Sequence, residues 1–148
     1  MLTLPIKKKY FDMILSGEKK EEYREITDYW ATRFCKAVHH DSPKSWEGVW
    51  GRSPAQNRID NFISELINTR DDGFGGPYMD TICLKNGYSK RAPLILIDCW
   101  ITIGQGKPKW GAEKRKEYFI LKINRVTEVI DNGREYRVLW EKEWQKGE

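Results

Sequence analysis

Apolar residues follow two rhythms along this chain. Up to about residue 70 they recur mainly at helical spacing; from Thr81 onward they alternate or run together as in strands. Leu2-Thr-Leu-Pro-Ile6 alternates and predicts a short strand, with Pro5 marking an edge or an end because proline has no N–H to give to a ladder. Phe11, Ile14 and Leu15 then sit at i, i+3 and i+4, the stripe of a short amphipathic helix over 9–16. Gly17 follows, where a helix C-cap favours glycine. Lys20 to Ile26 predicts a strand with Glu22, Arg24 and Ile26 on one face and Glu21, Tyr23 and Glu25 on the other.

Thr27 is placed to cap a second helix, with Asp28 in its first turn and Trp30, Phe34 and Val38 as its stripe. His39 to Arg52 shows no period and reads as a loop. Ser53-Pro54 opens a third helix, whose apolar face is Ile59, Phe62, Ile63, Leu66 and Ile67; Asp71 to Pro77 breaks it. Beyond it come strand candidates at Thr81–Leu84, Leu94–Ile103, Tyr118–Ile130 and Tyr136–Trp140. Asn86-Gly87 and Asn132-Gly133 are turn signals, and 104–111 is a loop. Strand, helix, strand, two helices and then several antiparallel strands predict one α+β domain over 1–148, built on a small mixed sheet or barrel.

Composition narrows the class. A chain of 148 residues with seven Trp, seven Tyr and five Phe has the material for a packed core. No apolar run approaches the roughly 20 residues that span a bilayer, and the N-terminus lacks the apolar stretch of a secretory signal, so no membrane association and a cytoplasmic location are expected. Cys35, Cys83 and Cys99 lie far apart without metal-ligand spacing, and the adjacent His39 and His40 are not a metal signature, so neither a metal nor another cofactor is expected. Net charge is +4, unevenly spread: Lys85 to Arg125 holds ten basic residues against three acidic ones, +7, leaving −3 for the remainder. That asymmetry points to an anionic partner, nucleic acid being the commonest; a solvated surface gives the same composition.

The chemistry concentrates in Ser16-Gly-Glu-Lys-Lys-Glu-Glu-Tyr-Arg-Glu25, seven charges in ten residues. A glycine turn delivers Lys19 into a strand carrying Glu22 and Arg24. Two cations beside a carboxylate lock one another by charge-assisted hydrogen bonds, and the same group can hold a phosphate or a base edge. A surface ion-pair cluster is the alternative. Strand parity by itself sets Lys19 and Glu22 on opposite faces, so they converge only through a turn or bulge at Lys19–Lys20.

Leu4-Pro-Ile-Lys-x-x-Tyr-Phe-Asp-x-Ile-Leu-Ser-Gly-Glu-Lys-Lys-x-Glu-x-Arg24 resembles the ASCH family, a branch of the PUA-like superfamily. Gly17, Lys19, Glu22 and Arg24 match its G-x-K-x-x-E-x-R pattern position by position. The likeness is specific over 2–26, topological over 78–130, and leaves 27–77 as a helical insertion. It implies a PUA-like β-barrel with flanking helices, a charged cleft beside the first helix, and binding of RNA or another nucleic acid or nucleotide-like ligand. In small bacterial members that hydrolyse N4-acetylcytidine, the position of Lys19 is a catalytic lysine and that of Glu22 a nucleophilic threonine. Glutamate at 22 speaks against that activity, since a carboxylate does not replace a base-activated hydroxyl. A ribonuclease activity is also attributed to some members, and Lys19 with Glu22 would be its acid–base pair.

Around this motif, Lys7 lies within reach of the same cleft, Lys90-Arg91 is a basic turn suited to phosphate, and Lys107, Lys109 and Trp110 combine cations with an exposed-looking aromatic in a loop, as single-stranded nucleic-acid binders do. The first expectation is therefore a binder of RNA or a modified nucleotide, with Lys19, Glu22 and Arg24 flooring the cleft. The second is a nucleic-acid or nucleoside hydrolase using Lys19 and Glu22. The third is a protein-interaction module using the loop that carries Trp46 and Trp50.

Overall fold

The computed structural model describes residues 1–39, 54–70, 76–131 and 134–136. β1 (Thr3–Pro5) leads into α1 (Lys8–Leu15) and β2 (Glu21–Glu25), followed by α2 (Asp28–His39) and α3 (Pro54–Thr69). Four strands follow among the described residues: β3 (Tyr78–Lys85), β4 (Leu94–Gln105), β5 (Glu117–Asp131) and β6 (Arg134–Tyr136). A single 3-10 turn, Pro108–Trp110, lies between β4 and β5. No helix among the described residues is long and apolar enough to cross a membrane. The 40–53 loop with Trp46 and Trp50, His40, the breaker at 71–75, the turn at 132–133 and the continuation of the last strand through 137–140 fall outside the described residues.

The helices form where the apolar spacing predicts. Phe11 and Ile14 are buried from α1, and Gly17 leaves it in the left-handed region at φ +86°. The Thr27 hydroxyl accepts the Trp30 N–H at 3.3 Å, capping α2. Ala31, Phe34 and Cys35 of α2 and Ile59, Phe62 and Leu66 of α3 pack against the sheet, where Phe119 meets both Phe34 and Phe62 ring to ring. Ile67, expected on the apolar face of α3, is exposed, because the stripe narrows at the helix end.

The strands pair in the order β1-β3-β4-β5-β2, and β6 joins β5 on the edge it shares with β2. All pairs are antiparallel except β1–β3. Odd-numbered residues Ile95 to Ile103 of β4, with Phe119, Leu121 and Ile123 of β5, face the helices and make the main core. The expected barrel is not confirmed: among the described residues no backbone ladder joins the edge strands β1 and β2. The physical reason lies in β1, which is three residues long and ends on a proline without an N–H. A side chain spans the gap instead, the Arg24 guanidinium of β2 donating to the Pro5 carbonyl of β1.

Candidate functional site

Lys19 lies before β2, in the turn opened by Gly17, where its N–H donates to the Met13 carbonyl at 2.9 Å. Strand parity therefore does not govern it, and it converges with Glu22. Its Nζ donates to the Trp110 carbonyl at 2.7 Å and to Glu22 Oε1 at 3.2 Å, and faces the rings of Tyr10 (4.4 Å) and Tyr23 (5.2 Å). Glu22 Oε1 also accepts the Tyr23 N–H at 3.0 Å and lies 3.3 Å from the Arg24 guanidinium. Arg24 also donates to the Tyr23 and Pro5 carbonyls and lies over the Trp30 ring.

This set is closed, which corrects the expectation of a solvent-open floor. Lys19 is 0% exposed and Glu22 4%. Glu22 and Arg24 pair with Leu121 and Phe119, both core residues, so their strand face is the one turned toward the interior. Burial lowers the Lys19 pKa from the usual lysine value, against the opposing pull of Glu22. Glu22 Oε2 and Trp110 Nε1 are buried with no hydrogen-bond partner among the described residues.

Lys19 fastens the β4–β5 connection to β2. The Tyr23 hydroxyl helps from the strand, accepting the Lys107 N–H at 2.9 Å and donating to Glu21 at 2.8 Å. Gly106 packs so close to Tyr23 that a Cβ there would lie 2.7 Å from the ring. Tyr23, Trp110, Ala112, Tyr118 and Ile120 thereby form a second small core on the outer side of the sheet. Trp110 is consequently 4% exposed, not the open aromatic that its loop suggests; its backbone carbonyl holds Lys19 and its ring lies under Lys107 (4.5 Å) and Lys109 (4.8 Å).

The open chemistry is next to this set, on the outer face. A depression of about 410 Å³ is lined by Lys20, Glu21, Trp100, Lys107, Trp110 and Lys122. Partial desolvation and the nearby Lys107 and Lys109 cations lower the Lys20 pKa, so these ammonium groups share one neighbourhood. Lys20, Lys122 and Trp100 escaped the sequence reading. The alternation Asp98-x-Trp100-x-Thr102 carried the signal for Trp100, since it puts the indole on the polar face of an otherwise apolar strand.

The other candidates lie apart. Lys7 is exposed at the start of α1, and no contact among the described residues ties it to Glu22. Lys90 and Arg91 are exposed in the β3–β4 turn, at the opposite end of the twelve-residue β4 from Lys107 and Lys109. Among the described residues no group of three or more His, Cys, Asp or Glu side chains is arranged to hold a metal ion. No family model, no curated protein and no solved structure matches the chain, so the site rests on its own geometry.

Proposed function

We propose that the chain is an ASCH-type, PUA-like domain that binds RNA or a modified nucleotide along the basic depression rimmed by the exposed Lys107, Lys109 and Lys122. The observation that carries this reading is the crowding of those cations around Trp110 and Trp100, a charge density whose natural complement is a row of phosphates beside bases. Lys19, Glu22 and Arg24 act beneath it. They hold the 107–110 loop, and with it two of the phosphate-binding lysines, at a fixed height above β2. The match of Gly17, Lys19, Glu22 and Arg24 to the family pattern then marks the loop anchor of the binding site.

The test is a salt titration of binding to single-stranded RNA. Each phosphate neutralised contributes about 0.7 to the slope of log K against log salt on a single strand, so Lys107→Ala with Lys109→Ala lowers the slope by about 1.4. A flat titration for the wild type overturns the reading.

The second reading, a hydrolase, is favoured by one observation, the lowered pKa of Lys19, which suits a base. Incubation with structured RNA, single-stranded RNA and N4-acetylcytidine decides between them. Turnover of any of the three by the wild type, retaining its dependence on Lys19 in variants shown to be folded, establishes the hydrolase, and binding without turnover leaves the binder.

A further inference from the structure

Beyond the basic rim, the outer face carries a feature with its own chemistry. Four side chains stand in register across four strands: Tyr78 of β3 opposite Trp100 of β4, Trp100 opposite Lys122 of β5, and Lys122 opposite Glu21 of β2. At strand spacing this row is roughly 14 Å long. Tyr78 is 38% exposed and Trp100 half-buried, with ring centroids 5.2 Å apart and planes inclined at 59°. The Asn124 amide donates to the Tyr78 hydroxyl at 3.4 Å and steadies that ring. Trp100 also lines the basic depression with Lys20, Lys107 and Lys122, so the aromatic pair and the cations form one continuous surface.

A folded domain gains nothing by leaving two adjoining aromatic rings partly open to water, and it gains least on a sheet whose other face already holds the core. Rings standing on a sheet beside lysines supply what unpaired bases need: π-faces for stacking and ammonium groups for the intervening phosphates. A duplex keeps its bases stacked on one another and offers none of them to these rings. A base-free polyanion meets only the lysines. An acidic peptide would use the lysines without demanding two adjacent ring faces.

The geometry points to Tyr78 and Trp100 as a stacking surface for two unpaired bases of a single-stranded nucleic acid whose phosphates run along the exposed Lys122 and Lys107. This inference rests on the nucleic-acid reading above and deepens it, because it names the strandedness of the ligand and the residues that select it.

Fluorescence anisotropy with three probes tests it: a short single-stranded RNA, the same sequence as a duplex, and inorganic polyphosphate. Wild type is expected to bind the single strand at least ten-fold more tightly than the duplex. Trp100→Ala and Tyr78→Ala should each weaken single-strand binding by about ten- to a hundred-fold while leaving the salt slope and polyphosphate binding unchanged. Trp100→Phe, which keeps a π-face, should recover most of the loss. Lys122→Ala should show the opposite signature, a slope lower by about 0.7 with all three probes weakened. Tyr78 is the more exposed of the pair, so Tyr78→Ala stays informative if Trp100→Ala fails to fold. Equal affinity for single strand and duplex, or folded Tyr78→Ala and Trp100→Phe variants that bind as wild type while Lys122→Ala weakens all probes, overturns the stacking surface and leaves the basic-groove reading standing. Absence of salt-dependent binding to every probe overturns both.

Discussion

Lys19 is a buried cation whose partners are assembled from three parts of the chain: a ring from α1, a carboxylate from β2 and a carbonyl 91 residues away. Removing such a partner is costlier than the pair is worth, because the groups left behind stay buried with fewer partners to offset their lost hydration. Lys19→Ala leaves the Glu22 carboxylate with Arg24 as its counter-charge and one oxygen without a hydrogen-bond partner among the described residues, and it takes the donor from the Trp110 carbonyl. Urea unfolding is expected to show a loss of about 3–5 kcal/mol. Lys19→Met combined with Glu22→Gln should cost less than the sum of the single changes, since the double variant carries neither charge into the interior. A Lys19→Ala variant within about 1 kcal/mol of wild type would refute the keystone role. The residues of this set were legible from sequence as a group of charges at a glycine turn, and so was the shared face of Glu22 and Arg24. Their burial was not, because the partner that makes it tolerable, the Trp110 carbonyl, is a backbone group in a loop that no local pattern links to position 19.

At the scale of elements, two glycines divide the work of presenting this set. Gly17 ends α1 at φ +86° with open space where a side chain would point, so Gly17→Ala pays only for the left-handed backbone, about 1 kcal/mol, and should leave RNA binding unchanged. Gly106 is a matter of space: a Cβ there meets both the Tyr23 ring and Ala112 at 2.7 Å. Gly106→Ala must lift the loop that carries Lys107 and Lys109, so its expected signature is weakened RNA binding out of proportion to a small change in urea midpoint. Equal stability losses with wild-type affinity in both variants would detach the loop from the binding surface. The helices and the β2 strand were legible because capping residues and apolar stripes are local signals: Thr27, Gly17 and Pro54 each sit at a boundary. The loop was read as open because two lysines precede its tryptophan. Its packing onto Tyr23 depends on the second core, which forms only when β2 and β5 pair.

In the whole molecule, the sheet separates two chemistries. Its inner face and the helices enclose the main core, the buried thiols of Cys35 and Cys99 among its members, while its outer face carries Tyr78, Trp100 and the lysines. The α+β class and the strand order of the second half follow from alternation and turn residues. Closure of the sheet does not, because it depends on how far β1 and β2 approach, a distance set by the curl of strands far apart in the chain. The division of faces also shapes the response to alkali. Burial raises the pKa values of Cys35, Cys83 and Cys99 above the ordinary 9.0, and those of Tyr23 and Tyr78 above 10.0. The unfolded chain therefore releases protons that the native state retains, so stability falls as pH rises past about 9. Lys19 works the other way: its native pKa is depressed, the native state loses that proton first, and stability rises between that value and 10.5. Lys20, also depressed, acts in the same sense as Lys19, and three thiols and two phenols outweigh these two ammonium groups. The urea midpoint should drop steadily between about pH 8.5 and pH 10.5. A variant with alanine at all three cysteines should begin less stable, from lost packing, yet decline more gently across the same window. Parallel declines in the two proteins would assign the alkaline limb to the phenols, and a flat wild-type profile would mean that the interior is open enough to titrate as the unfolded chain does.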